Sequence, residues 1–394
     1  MYRLLNLLAV ALHIIGYVVA GVFVTNTRLV GWEVRRYKQL IIVANLLLWP
    51  LVGFVRSFGH GGFWGFLRSL LLPFSRGWWS RAFFLGLGAR YLAQEVYRQA
   101  HPVTVTEVLS TIVEDADLTP QVLAAGLPDN AYMRLVPSGL NHMFRLQVVT
   151  HTVKLACLPP QFDGFSIVQL ADFHYGSFTS GEFVRCVVER TLQLAPDLVV
   201  LTGDTQTQRE DIEAVADLLA PLGEWSWRER GGLGVLAVLG NHDRFDESDA
   251  HVTDALRRAG IRVLHNEHVS LERNGEKLHV AGVADPWSQR ADIDLALHGI
   301  PQNSCTLLLA HLPDYLVTAS RYPVALMLSG HNHGGQIKLP LIGHVLVSSR
   351  YNRRYAEGFH KLNDTLMYAS TGLGGYPPIR WGAWPEIARI VLRG

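Results

Sequence analysis

Two hydropathy patterns divide the chain. From residue 165 onward, short apolar runs of strand length recur at 165–170, 198–201, 235–239, 278–283, 306–310 and 324–328. Stretches of helical character, 181–194 and 211–219, separate the first of them. Continuous apolar strands that lack polar alternation and are separated by helices predict sheets buried on both faces, hence an α/β domain. The first hundred residues follow another rule. Residues 4–24 contain no charged side chain and lie between Arg3 and Arg28; residues 40–55, between Lys38 and Arg56, are also uncharged. At about 1.5 Å per residue the first run just crosses roughly 30 Å of hydrocarbon, so at least two transmembrane helices are expected. A cleaved leader is the rival reading. Against it, the run exceeds a leader's usual core of about 7–15 residues, and a second apolar run follows.

Residues 63–74 carry Arg68, and residues 78–96 carry Arg81, Arg90 and Glu95. They fit either further spans with snorkelling arginines or basic amphipathic helices lying in the interface. Charge sharpens the division. Residues 1–100 hold eleven basic and two acidic side chains, whereas the remainder holds twenty-four basic and thirty-two acidic ones; the net charge of +1 hides this split. Five of the ten tryptophans also fall in the first hundred residues. The expected organisation is therefore an apolar, basic membrane-anchoring region at 1–100, a connector at 101–160 carrying a strand near 144–156, and a catalytic domain at 161–394. Arginines flank both apolar runs, so the orientation in the membrane stays open. Cys157, Cys186 and Cys305 are too few and too scattered for a disulfide scaffold, and their odd number leans towards a reducing compartment.

Chemistry gathers where the apolar runs end. The run at 165–170 leads into Asp172-Phe173-His174, that at 198–201 into Gly203-Asp204, and that at 235–239 into Gly240-Asn241-His242-Asp243. The last two lead into His311 and into Gly330-His331-Asn332-His333. The carboxyl edge of an α/β sheet is where ligands sit. Carboxylates, imidazoles and one amide without thiolate suit Mn, Fe or Zn. Seven candidates (Asp172, His174, Asp204, Asn241, His311, His331, His333) exceed one tetrahedral ion and suit two, about 3.5–4 Å apart across a shared carboxylate. Two such cations keep excess positive charge for a phosphate and bring the pKa of water from 15.7 towards about 7. The inferred reaction is metal-assisted hydrolysis of a phosphate ester or anhydride.

The series D-x-H, G-D, G-N-H-D, H, G-H-x-H resembles that of the calcineurin-like metallophosphoesterases, over roughly the last three-fifths of the chain. The apolar head, Ser329–Gln336 and the tail residues Gly372–Gly374, Pro378–Arg380 and Pro385–Ile387 are similar to the transmembrane metallophosphoesterase subgroup. The resemblance implies a four-layer α-β-β-α sandwich behind an α-helical membrane region. It implies that Asp172, His174 and His333 hold one cation, that Asn241, His311 and His331 hold the other, and that Asp204 bridges them. His242 would act on the leaving oxygen, with Asp243 orienting it.

For the substrate, the membrane head and the subgroup together imply a lipid-linked phosphate at the bilayer, such as UDP-2,3-diacylglucosamine in lipid A synthesis. The implied location is a bacterial inner membrane, with the cytoplasmic face one option for the catalytic domain. The alternatives are a phosphodiesterase or phosphatase acting on another lipid or a nucleotide, and a metal-binding membrane scaffold without turnover. A scaffold has no need of His242 beside Asn241. Nucleic acid is not expected as a substrate, because the catalytic part is net acidic and shows no basic stripe. Arg244 and Arg380 are weighed as clamps for a second phosphate against ordinary structural arginines. Asn363-Asp364-Thr365 marks a hairpin turn.

Overall fold

The computed structural model describes residues 105–394 apart from 130–131, 177–178, 248, 341–342 and 346. The expected spans at 4–24 and 40–55, and the basic stretches after them, lie outside the described residues. Among the described residues no helix is long and apolar enough to cross a membrane.

Among the described residues fifteen strands appear in chain order. The first seven are β1 (Val108–Asp117), β2 (Arg145–Lys154), β3 (Ser166–Leu170), β4 (Leu198–Thr202), β5 (Val235–Val238), β6 (Arg262–Val263) and β7 (Glu267–Arg273). They continue with β8 (Glu276–Gly282), β9 (Thr306–Leu309), β10 (Leu326–Ser329), β11 (Lys338–Leu339) and β12 (Gly343–His344). The last are β13 (Gly358–Leu362), β14 (Thr365–Ala369) and β15 (Glu386–Arg393). One sheet runs β1-β2-β15-β3-β4-β5-β6, a second runs β13-β14-β10-β9-β8-β7, and β11 pairs with β12. Within the first sheet β3, β4, β5 and β6 are parallel; in the second β8, β9, β10 and β14 are parallel.

Period-two packing explains why the apolar runs show no alternation. In β4, Leu198 and Val200 face the second sheet, while Val199 and Leu201 face helices. In β9, Leu307 and Leu309 face the first sheet and Leu308 faces outward into another apolar layer. Every residue of these strands is therefore buried, on one side or the other. The outer layer over the first sheet comes from α1 (Thr119–Ala125), α2 (Gly181–Gln193), α3 (Ile212–Arg230) and α4 (Asp249–Arg258). Short helices α5 (Ile293–Leu297) and α6 (Leu316–Ala319) cover the second.

The helix α2 begins at Ser180, whose hydroxyl accepts the Glu182 N–H at 3.2 Å, and buries Phe183, Val184, Val187, Val188 and Thr191 along one stripe. The helix α3 runs beyond the expected 211–219. It passes through Pro221, because Leu222, Gly223 and Ser226 continue its buried stripe, and stops at Gly231 in a left-handed conformation.

The strand expected near 144–156 in the connector is β2, and it joins the same sheet. The strand β2 pairs with β15 on one side and with β1 on the other. The last strand, β15, inserts between β2 and β3, so the carboxyl-terminal segment is central to the sheet. Thr365 pairs with Leu362 across the Asn363-Asp364 turn, and Asn363 takes φ 52°. Cys157 and Cys305, 148 residues apart, are joined by a disulfide with Cα atoms 5.1 Å apart, a pairing that sequence scatter concealed.

Ile390 of β15 is fully buried between the two sheets. Ile390→Ala is expected to lower unfolding stability by about 2–5 kcal/mol and Ile390→Val by about 0.5–1.5 kcal/mol. Equal denaturant midpoints for the two variants would contradict this packing.

Candidate metal centre

Five parallel strands, three in one sheet and two in the other, end at the same place. Asp172 and His174 follow β3, Asp204 follows β4, and Asn241 and His242 follow β5. His311 follows β9, and His331 and His333 follow β10. Beyond each strand end the backbone turns sharply. Asp172, His174, Asp204, His331 and His333 all take positive φ, between 47° and 71°. Such values cost side-chain-bearing residues about 1–3 kcal/mol each and concentrate at functional sites.

Hydrogen bonds lock the two sheets together here. The buried Gln169 amide donates to Thr202 Oγ1 and to the Ser329 carbonyl, both at 2.9 Å. The His331 N–H donates to Asp172 Oδ1 at 2.8 Å. His311 Nδ1 donates to the Thr202 carbonyl at 2.7 Å; a carbonyl only accepts, so Nδ1 carries the proton and Nε2 turns inward. His333 is set the same way. Its Nδ1 donates to Gln336 Oε1 at 2.7 Å, while Gln336 Nε2 donates to the carbonyls of Pro377 and Ile379.

The inward-facing atoms form two groups. Asp172, His174, Asp204 and His333 bring one ligand atom each within 4.8 Å of one another, and so do Asp204, His311 and His331. Asp204 belongs to both. Asn241 Oδ1 lies 3.2 Å from His311 Nε2, which adds the amide to the second group. His174 Nε2 lies 3.1 Å from His333 Nε2, and His331 Nδ1 lies 3.1 Å from His311 Nε2. Asp172 Oδ2 and Asp204 Oδ2 are buried and have no hydrogen-bond partner. Buried carboxylate oxygens without donors, faced by converging imidazole nitrogens, fit divalent cations.

The electrostatics agree. Burial alone would drive the His311 ring down, but the carboxylates of Asp204, Asp172 and Asp285 overturn this and lift it to about 10. Burial pushes the Asp204 carboxyl up, and the rings of His311 and His174 hold it well below the usual range. Burial takes His331 down to about 3.

Asp243 supports the centre from behind. Its Oδ2 accepts the N–H groups of Asp204 at 2.7 Å and Gly240 at 2.8 Å. Its Oδ1 accepts from the Thr205 N–H at 2.9 Å and hydroxyl at 2.8 Å. These four bonds place Asp243 as a positioning residue for Asp204. Gly240 must be glycine, since a Cβ there would overlap the Asp204 carboxylate. A Cβ on Gly203, at φ 97°, would lie 2.6 Å from both the Gly240 nitrogen and His311 Nδ1.

His242 and Asn241 are half-buried, whereas the acidic and other histidine ligand candidates are buried. The His242 N–H donates to Asp204 Oδ1 at 2.8 Å, and its ring stands 4.7 Å from the His174 ring. Burial pushes the ring's pKa down. Two exposed aromatic rings flank the centre: Tyr376 lies 4.8 Å from His242, and Trp287 lies 4.9 Å from His331. Neither belongs to a motif, so sequence reasoning missed both. Gln336 was visible only as a motif letter.

Arg380 is not a phosphate clamp. It is fully buried and donates to the carbonyls of Gly374 at 2.6 Å and Thr371 at 2.7 Å, among others. Arg244 lies 3.8 Å from both Asp249 and Asp285.

The calcineurin-like phosphoesterase family model matches residues 165–335. The Bacillus subtilis metallophosphoesterase YkuE is 32% identical over 253 residues, which cover 63% of this chain and 86% of YkuE. This chain belongs to the calcineurin-like metallophosphoesterases. It is a metal-dependent phosphoesterase, of a family that uses divalent ions. Two further relatives of this metallophosphoesterase extend the comparison. The zebrafish (Danio rerio) transmembrane protein with metallophosphoesterase domain is 30% identical over 261 residues, 63% of this chain and 57% of that protein. The UDP-2,3-diacylglucosamine pyrophosphatase LpxG of Chlamydia trachomatis is 26% identical over 290 residues, 58% of this chain and 85% of LpxG.

Metal titration distinguishes the parts. Asp204→Ala is expected to lose both cations, His331→Ala to keep one, and Asp243→Asn to weaken metal affinity by about 10–100-fold. Two cations retained in Asp204→Ala would contradict a shared carboxylate.

Proposed function

We propose that this chain is a membrane-anchored, dinuclear-metal phosphoesterase that hydrolyses a lipid-linked phosphate ester or anhydride. The observation that carries the reading is Asp204, shared by two groups of donors with the half-buried His242 at their edge. Asp172, His174, Asp204 and His333 would hold one divalent ion; Asp204, Asn241, His311 and His331 would hold the other. Mn, Fe and Zn all suit these nitrogen and oxygen donors. Bound there, the two ions would supply positive charge for a phosphoryl group and lower the pKa of a bound water towards about 7.

The protein's own residues do the rest. Asp243, Gly240 and Gln336 hold the ligands in place before substrate arrives. His242, tied through its backbone to Asp204, presents its ring on the open side of the centre. As the oxygen of a water that has already given up a proton to solvent bonds to phosphorus and the bond to the leaving group breaks, His242 gives its proton to the departing oxygen.

Two observations support a lipid-linked substrate: the apolar, basic first hundred residues, and the similarity to LpxG over most of that protein's length. The substrate we favour is UDP-2,3-diacylglucosamine, cleaved to a lipid monophosphate and UMP. The bilayer is then the partner, a bacterial inner membrane the location, and nucleic acid no substrate.

Full-length protein loaded with Mn²⁺ is expected to release UMP from this substrate and to hydrolyse bis-p-nitrophenyl phosphate. His242→Ala should lower both rates by about 10²–10⁴-fold with metal content unchanged. Hydrolysis of the small diester without UMP release would remove the lipid substrate and leave the phosphoesterase. Full activity in His242→Ala would remove the proposed proton donor.

A further inference from the structure

The segment that follows β14 runs beneath the turn that carries Asp172 and His174. The Leu373 N–H donates to the Ala171 carbonyl at 2.9 Å, and the Gly374 N–H to the Asp172 carbonyl at 2.6 Å. The approach leaves no room for side chains. A Cβ on Gly372, at φ 69°, would lie 2.7 Å from Asp172 Oδ2, and one on Gly374 would overlap the Phe173 carbonyl. Residues 371–374 thus form a backbone cradle for one half of the metal centre. Two buried charged side chains hold the cradle in place. Arg380 Nε donates to the Gly374 carbonyl at 2.6 Å and Nη2 to the Thr371 carbonyl at 2.7 Å, one at each end. Its Nη1 reaches the His333 carbonyl at 3.4 Å, so one guanidinium joins the cradle of Asp172 to the loop of His333. Glu386 closes the opposite side. Its Oε1 accepts the Thr371 N–H at 2.9 Å and the Tyr368 hydroxyl at 3.0 Å, and its own N–H donates to the Gly372 carbonyl at 3.0 Å.

We propose that Arg380 and Glu386 are positioning residues for one ion of the pair, the one assigned to Asp172, His174 and His333, and that they set its affinity without setting that of the other. The inference rests on the dinuclear reading given above. Its selectivity follows from what the two side chains touch. Among the described residues, Arg380 and Glu386 make no hydrogen bond to Asn241, His311 or His331, which belong to the second group. Asp172 meets that group through the His331 N–H, a bond that fixes the backbone of His331 rather than its ring. Arg380 is fully buried and Glu386 is 6% exposed, so neither bonds to bulk water in place of the cradle. Losing a partner here strands a buried polar group. The chemistry of each residue is also specific. A guanidinium presents a planar fork of donors in fixed directions and can span carbonyls at both ends of a loop, whereas a lysine ammonium is a single point. Glu386 needs only its acceptor oxygen for the Thr371 N–H, and a glutamine supplies that oxygen too.

The test measures Mn²⁺ affinity, not turnover. Full-length protein in detergent is stripped with a chelator and titrated with Mn²⁺, the free ion being followed by electron paramagnetic resonance. Two backgrounds isolate the ions: His331→Ala keeps the donors of the first, and His174→Ala those of the second. Arg380→Lys is expected to weaken Mn²⁺ binding by about 10–100-fold in the His331→Ala background and by less than about threefold in the His174→Ala background. Glu386→Ala should show the same split, and Glu386→Gln should restore the affinity. This second pair carries the test if circular dichroism shows Arg380→Lys to be unfolded. Equal weakening in both backgrounds makes the two residues merely structural and overturns the inference, as does unchanged affinity in both; either result leaves the dinuclear centre standing. A wild-type chain that takes up fewer than two Mn²⁺ overturns the dinuclear reading itself, and the inference with it.

Discussion

The buried carboxylate of Asp204 sets the terms for everything around it. One oxygen is satisfied by the His242 N–H; the other has no donor and lies 3.3 Å from His311 Nε2 and 3.6 Å from His174 Nε2. Asp172, equally buried, sits close enough to pose the same problem. Taking two carboxylates out of water is costly unless positive charge or donors replace the lost hydration. The surrounding imidazoles offer nitrogen lone pairs as well as protons. A fold that buries acid and imidazole together, against a second acid, is stabilised by cations and poorly explained without them.

Two carboxylates and four imidazoles can converge only if the chain bends where it ordinarily would not. Each ligand lies just past a strand end, where parallel ladders stop and the backbone is free to reverse. Positive φ at five of these residues aims their side chains back across the sheet edge. The strain is offset by bonds that over-determine it: Asp243 binds the Asp204–Thr205 segment through three donors and Gly240 through a fourth, and Asp172 accepts the His331 N–H from the opposite sheet. The ligand geometry is thus built into the packing of two sheets. That is the preorganisation that electrostatic catalysis requires.

Much of this was legible because burial and chemistry coincide along the chain. Strands such as β4 and β9, buried on both faces, must be apolar throughout, and their carboxyl ends stand out as abrupt changes to Asp, Asn and His. The strand β15 was less visible. It carries Arg389, begins with the buried Glu386, and is defined by pairing with segments more than two hundred residues away. The strand β1 is exposed along most of its length and includes Glu114, Asp115 and Asp117, so no apolar pattern announces it. Arg380 shows a different limit. An arginine near a motif suggests an anion, but only the fold reveals that its donors are taken by backbone carbonyls. Tyr376 and Trp287 belong to no spacing rule; what matters about them is which imidazole they touch.

The asymmetry of burial follows from the same construction. Ligand candidates supplied by β3, β4, β9 and β10 are sealed, since both sheets close over them. Asn241 and His242 are supplied by β5, which has only the two-residue β6 beyond it, and they remain partly open. The open side of the centre is therefore the one where Asn241 and His242 stand, beside the exposed ring of Tyr376. The buried side holds charge in fixed positions, and in the proposed reaction the open side would face the group that departs. Under the proposed mechanism, exchanging these positions would bury His242 behind the metal sites and expose the carboxylates to water, which would weaken their hold on metal and separate His242 from the leaving oxygen.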